Sequence, residues 1–250
     1  EPANGLYSLL IAPLLKSGSL RGVQKVIVVP DGVLNYLPFV VLSDADGHLL
    51  SDDFVVAYLP TASALTAPES GYRGNGNLLA LAPSQSHLPN AASEVRSIGE
   101  MFPGSLVVAG KGATKTLFKK VVEQYDYVHL ATHGSLNRSA PWLSTLQLQS
   151  DDKSDGRLEL HEILDLKLHS RVVTLSACET ALGSGYFTDT PSGEEFVGLT
   201  RALLCAGSQS VLASRGDSTH ESPRDLMTKF YPQWRHSARP DGAAGAPPQT

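Results

Sequence analysis

Short apolar runs alternating with amphipathic stretches constrain this chain more than any other feature. Residues 23–30 are rich in β-branched side chains and close on the turn sequence Pro30-Asp31-Gly32. Residues 54–59 and 77–82 repeat the pattern, each followed by a proline, and 106–109, 125–132, 171–177 and 210–213 continue it. Such runs suit strands covered on both faces, as in parallel sheets. Between them lie segments at helical spacing: 90–102, 114–124 with Thr114 as N-cap, 193–206 ended by Gly207, and 222–234. An earlier helix is expected over 5–15, interrupted late by Pro13. Strand and helix in alternation predict an α/β fold: a mostly parallel central sheet with helices on both faces.

Residues 142–160 break this rhythm. Two alternating segments, 145–149 and 157–160, flank the polar stretch Asp151-Asp152-Lys153-Ser154-Asp155-Gly156, the pattern of a hairpin. Residues 237–250 are rich in Ala, Gly and Pro and predict a disordered tail, leaving 1–236 as one domain. A chain of 250 residues, 42% hydrophobic, can bury one substantial core. Its net charge of −5 argues against a nucleic-acid footprint. The one basic run, Lys111, Lys115, Lys119 and Lys120, is interrupted by Glu123 and reads as a solvated helix face.

No apolar run approaches the ~20 residues of a membrane-spanning helix. The N-terminus shows no signal peptide, and it lacks an initiator Met, as expected of a piece of a longer protein. Two cysteines are too few for a disulfide scaffold. A soluble, cytoplasmic protein is the expectation.

Two strands end in reactive side chains. Val128-His129-Leu130-Ala131-Thr132-His133-Gly134 delivers His133 just past its strand, and Val172-Val173-Thr174-Leu175-Ser176-Ala177-Cys178 delivers Cys178 in the same way. In open α/β sheets, ligands gather at the carboxyl ends of strands. If these strands are parallel neighbours, the thiol and imidazole sit over one edge. A thiol with an ordinary pKa near ~8.5 is only a few per cent thiolate at neutral pH; an adjacent imidazole raises that fraction and later protonates a leaving amine. The N–H groups of Gly134 and Cys178 are the candidate oxyanion donors, because glycine lets a carbonyl approach the main chain closely. Taken singly, a strand-end cysteine is more often a small buried hydrophobe. Cys205, within Ala202-Leu203-Leu204-Cys205-Ala206, reads as a core residue of that kind.

Other chemistries fit less well. His129 and His133 share a strand, which separates them by ~13 Å and rules out a helical metal pair. No other histidines show ligand spacing, so no metal or other cofactor is expected. Gly71-Tyr72-Arg73-Gly74-Asn75-Gly76 precedes a strand instead of following one, which disfavours a dinucleotide site. Gly183-Ser184-Gly185 lacks the pattern of a serine nucleophile elbow.

His-Leu-Ala-Thr-His-Gly at 129–134 and Leu-Ser-Ala-Cys-Glu-Thr-Ala-Leu-Gly at 175–183 resemble the CHAT peptidases, relatives of caspases and separases. Pro30-Asp31-Gly32 with Leu34, Leu37-Pro38-Phe39 and Leu42 also match, as do Glu94 with its helix and Gly193-Glu194-Glu195-Phe196-Val197-Gly198-Leu199. The likeness covers residues 5–231. Caspases place their histidine roughly ~50 residues before the cysteine; here the separation is 178 − 133 = 45. The resemblance implies a caspase-like sheet, a Cys178–His133 dyad and peptide-bond cleavage without a metal. It also implies a helical-repeat sensor region or partner protein; the charge and the lack of a long apolar run lead to the expectation of no nucleic acid and no membrane. The sequence departs from the family at Ser214-Arg215-Gly216-Asp217, where Ser-Leu-Trp and acidic residues are usual, and after Trp234, where an outer strand is expected to be missing.

Two carboxylates are candidates for the floor of an S1 pocket that takes Arg or Lys. Asp217 falls where separase-like relatives carry an acid. Asp31 ends the first strand, and the competing reading for it is a turn former. Glu179 reads as an organiser of the nucleophile loop, and residues 183–193 as either a gating loop or a plain connection. The expected function is a cysteine endopeptidase acting on a protein partner or on its own chain. The alternative is a non-catalytic caspase-like module that docks in a larger assembly.

Overall fold

A buried strand must pair its backbone N–H and C=O groups, and in this protein's computed structural model the apolar runs do so by forming sheets. The structure describes residues 2–66, 74–84, 88–135, 137, 140–176, 194–213 and 223–237. The predicted tail over 237–250 lies outside them, apart from Ser237. The chain divides into two compact units, residues 1–69 with 187–197 and residues 70–186 with 198–250.

The first unit opens with α1 (Pro2–Leu10) and α2 (Ala12–Lys16). The break falls at Ile11, and Pro13 sits in the first turn of α2, where its missing N–H costs nothing. The strands β1 (Lys25–Val28) and β2 (Val55–Tyr58) pair in parallel as a two-stranded sheet of their own, with the single-turn helix α3 (Leu50–Asp53) between them in sequence. Val26, Val28 and Val56 pack on Tyr7, Ile11, Phe39, Leu42, Leu50 and Phe54. Ile27 and Val55 are exposed. The run at 23–30 is therefore covered on one face only, contrary to expectation. An apolar residue can stand on an open face, so an unbroken run does not by itself prove two-sided burial.

The second unit is built on five parallel strands. In chain order it contains β3 (Leu78–Ala82), α4 (Ala91–Gly99), β4 (Leu106–Ala109), α5 (Lys115–Val121) and β5 (Tyr127–Ala131). Then come β6 (Gly134–Ser135), β7 (Thr145–Gln147), β8 (Arg157–Glu159), α6 (Leu160–Leu164) and β9 (Val172–Ser176). The helix α7 (Glu194–Cys205), from Gly198 onward, β10 (Val211–Ala213) and α8 (Pro223–Ser237) complete it. The sheet runs β10-β9-β5-β3-β4, and every adjacent pair is parallel. Every residue of β9, β5 and β3 is buried, as continuous apolar strands require.

Helices cover both faces of this sheet. Leu79, Leu81, Val128, Leu130, Val173 and Leu175 meet Phe118 of α5, Ile163 of α6, and Leu199, Ala202 and Leu203 of α7. Leu78, Ala80, Tyr127, Ala131 and Val172 meet Val95 and Ile98 of α4 and Met227 and Tyr231 of α8. The hairpin excursion is present: β7 and β8 pair antiparallel, and β6 joins as a third strand. Among the described residues β10 and β4 are the sheet edges.

Local signals act where the sequence places them. Thr114 Oγ1 accepts the Leu117 N–H at 3.1 Å and caps α5. At the other end of α7, Gly207 adopts φ 112°, and the N–H groups of Ser208 and Gly207 donate to the carbonyls of Leu203 and Leu204 at 3.1 and 3.0 Å. This Schellman pair needs a residue without a Cβ, because the Leu168 carbonyl occupies that space. The basic run is only partly a solvated face. Lys115 Nζ lies 2.6 Å from Glu162 Oε2 and Lys119 Nζ lies 3.2 Å from Glu162 Oε1, which ties α5 to α6.

Gly207→Ala meets both an unfavourable φ and the Leu168 carbonyl, so it should lose about 2–4 kcal/mol of stability in urea denaturation. Burial alone pushes the Glu162 carboxyl up. Hydrogen bonds from Lys115, the Glu159 N–H and Lys119 outweigh that and hold it below the ordinary 4.5. A lowered folded value stabilises above pH 4.5 and is lost as pH falls through it. Glu162→Gln should therefore cost about 1 kcal/mol at neutral pH, with the gap to the parent closing in acid.

Candidate active site at the carboxyl ends of two central strands

The strands β5 and β9 are neighbours, with Tyr127 against Val172, His129 against Thr174 and Ala131 against Ser176. Their hydrogen bonding runs one residue past the strands, since the Thr132 N–H donates to the Ser176 carbonyl at 3.2 Å. There the chain changes partner. The Gln147 N–H donates to the His133 carbonyl at 2.9 Å, and the Thr132 hydroxyl donates to the Gln147 carbonyl. His133, half-buried, thus stands where the backbone leaves the parallel sheet for the antiparallel one. Gly134, buried, follows it opposite Leu146. Antiparallel rungs alternate, so a rung at His133–Gln147 puts the next at Ser135–Thr145 and turns the Gly134 N–H away from β7.

Two predicted site residues, His133 and Gly134, are thereby seated at one sheet end. Cys178, Glu179, the loop 183–193 and Asp217 lie outside the described residues. The numbering of the two strands bears on Cys178 all the same: each β9 residue lies 45 positions after its β5 partner, as Val172 does after Tyr127. Cys178 lies 45 positions after His133. Asp31 belongs to the first unit. It is exposed and extended at φ −128° and ψ 147°, and its carbonyl accepts the Leu34 N–H at 3.1 Å. Those are the features of a turn former.

Sequence reasoning missed a buried polar cluster one strand-turn earlier. His129 is fully buried, with Nε2 at 2.9 Å from Glu94 Oε1 and Nδ1 at 3.0 Å from the Tyr231 hydroxyl. The Tyr231 O–H donates to Thr174 Oγ1 at 2.9 Å. Which of Tyr231 and His129 Nδ1 donates in their contact follows from the imidazole's tautomer. Burial pushes the Tyr231 phenol far up, so it stays protonated. A signal was available: Glu94 shares the apolar helix face of Ala91, Val95 and Ile98, and a buried carboxylate there demands a partner.

Cys205 is exposed, which corrects its reading as core. Leu199, Ala202, Leu203 and Ala206 form the buried stripe of α7, and Cys205 lies with Arg201 on the opposite side. Among the described residues no group of three or more His, Cys, Asp or Glu is placed to hold a metal ion. No described helix is long and apolar enough to cross a membrane.

The sequence profile of the CHAT domain family matches residues 1–246. The chain belongs to the CHAT domain family. CHAT domains are related to caspase-like peptidases. Among curated proteins, this CHAT chain is similar to tetratricopeptide repeat protein 28 of Mus musculus, at 26% identity over 92% of the chain. It is also similar to tetratricopeptide repeat protein 28 of Homo sapiens, at 24% identity over 98% of the chain. It spans only 12% of the length of either relative.

The exposure of Cys205 has a direct consequence for thiol chemistry. A maleimide should label the native chain at Cys205, and peptide mapping should find the adduct there. Cys205→Ser should remove that adduct, which makes it the background in which any labelling of Cys178 has to be read.

Proposed function

We propose that this CHAT domain is a cysteine endopeptidase of caspase-like arrangement, with Cys178 as nucleophile and His133 as general base. The observation that carries the reading is the register. The offset of 45 between β5 and β9 equals the spacing of His133 and Cys178, so each of the two lies two residues in sequence past the end of its strand. His133 then draws the thiol proton, and the thiolate attacks the substrate carbonyl carbon. The oxyanion forms at the N–H groups of Gly134 and Cys178, and His133 returns the proton to the leaving amine. Water hydrolyses the resulting thioester by the reverse order of steps.

Asp217 is the proposed S1 carboxylate, which would select a basic P1 residue in a protein partner or in the chain itself. Family membership and the repeat-protein names of the relatives support a module that works beside a helical-repeat region or partner. The whole of residues 1–236 would serve as this one module, with 237–250 as a tail, in the cytoplasm. Those same names, which mention no enzyme, also favour a second reading: a caspase-like fold kept for docking.

A peptide-library cleavage profile separates the two. The peptidase reading expects cuts after one defined P1 residue. Cys178→Ala should abolish them with an unchanged unfolding midpoint, and His133→Ala should lower kcat at least about 10²-fold. Cleavage retained in Cys178→Ala would reject the mechanism.

A further inference from the structure

Apolar patterning fixes how β5 and β9 pair only in part. A slip of one residue turns every side chain to the other face and is excluded by burial. A slip of two restores the faces: both strands would still present apolar residues to α4 and α8 on one side and to α5, α6 and α7 on the other. Something else must exclude it, and the buried polar cluster is placed to do so. Tyr231 reaches down from α8 and bonds both members of one rung, His129 on β5 and Thr174 on β9. Glu94 holds the far side of the same imidazole from α4. All four residues are at most 2% exposed. A two-residue slip would move Thr174 away from Tyr231 and bury an unpaired hydroxyl, a penalty with no water to relieve it.

We propose that Glu94, His129, Tyr231 and Thr174 are a positioning clamp that sets the height of β5 against β9, and so the approach of His133 to Cys178. The inference rests on the peptidase reading for its kinetic consequence but not for its geometry. His129 and Thr174 stand four residues before His133 and Cys178 respectively, so an error in that rung is carried directly to the pair. None of the four touches substrate; they act through the strands. Misplacement of reacting groups by about 1 Å costs on the order of 10²-fold in rate, so the clamp need fail only slightly to be visible.

The test uses the full chain and two readouts. Tyr231→Phe removes only the bridging hydroxyl, and Thr174→Val removes its acceptor on the other strand at constant volume. Each should lower kcat roughly ten- to a hundredfold with KM within about twofold, and Thr174→Ser, which returns the hydroxyl, should recover it. The second readout needs no activity. With His133→Cys on a Cys205→Ser background, position 133 and Cys178 should form a disulfide in glutathione redox buffer. Such a bond needs Cα atoms about 4.4–6.8 Å apart, the approach that the peptidase reading requires of these two positions, and Tyr231→Phe or Thr174→Val should slow its formation about fivefold or more. Cross-linking and kcat that stay within twofold of the parent in both variants would overturn the clamp, as would absence of the disulfide in the parent. A parent that cross-links but cleaves no peptide would strike the peptidase reading alone, and the cross-linking rates would still decide the clamp.

Discussion

In the middle of a sheet covered on both faces, β5 and β9 share a rung whose two side chains are a histidine and a threonine, with a tyrosine hydroxyl bonded to both. The side chains at that rung are buried, Glu94, His129, Thr174 and Tyr231 being at most 2% exposed. A neutral hydroxyl there costs a few kcal/mol if it lacks a partner, and a lone carboxylate or imidazolium costs more. The cluster therefore holds as a unit: Glu94 is tolerable only against His129, and His129 only between Glu94 and Tyr231. The helices α4 and α8 are bound to the sheet by direction-dependent bonds as well as by Val95, Ile98, Met227 and Tyr231. Hydrophobic contact alone is non-directional and would let those helices settle at several heights. Polar bonds through the same face select one.

Legibility in the sequence followed the same division. The parallel strands, the helices on both faces, the hairpin excursion, the Thr114 cap and the Gly207 stop were readable because each depends on local periodicity or on one residue's backbone preference. What could not be read was which strands share a sheet. The run at 23–30 looks like a core strand, yet it pairs only with β2, and Ile27 stands in the open. Composition does not encode a neighbour. Cys205 was misread for a different reason: Ala and Leu on either side of it made the segment look uniformly apolar. The buried stripe of Leu199, Ala202, Leu203 and Ala206 leaves position 205 outside.

The site was legible to the extent that strand ends are legible. A histidine followed by glycine, one residue past an apolar run, marks the point where the chain can change partner, and it does so at Thr132 and His133. The polar cluster was not legible because its four members come from α4, β5, β9 and α8, as much as 137 residues apart from Glu94 to Tyr231. Only the odd placement of Glu94 on an apolar helix face hinted at it.

Two histidines on one strand, four residues apart, show how position assigns chemistry. His129 is enclosed on every side, with one nitrogen on a carboxylate and the other on a phenol that burial keeps protonated. Such a ring cannot turn, and a substrate cannot reach it. His133 lies beyond the last described rung shared with β9, half-buried, with its carbonyl tied to Gln147. Its backbone is held, and both of its ring nitrogens are buried at the carboxyl end of the sheet. A rigid, saturated imidazole inside and a second one at the rim are complementary demands. The catalytic geometry proposed for the rim needs strands that do not slide, and the inner histidine belongs to a polar contact that apolar packing does not replace.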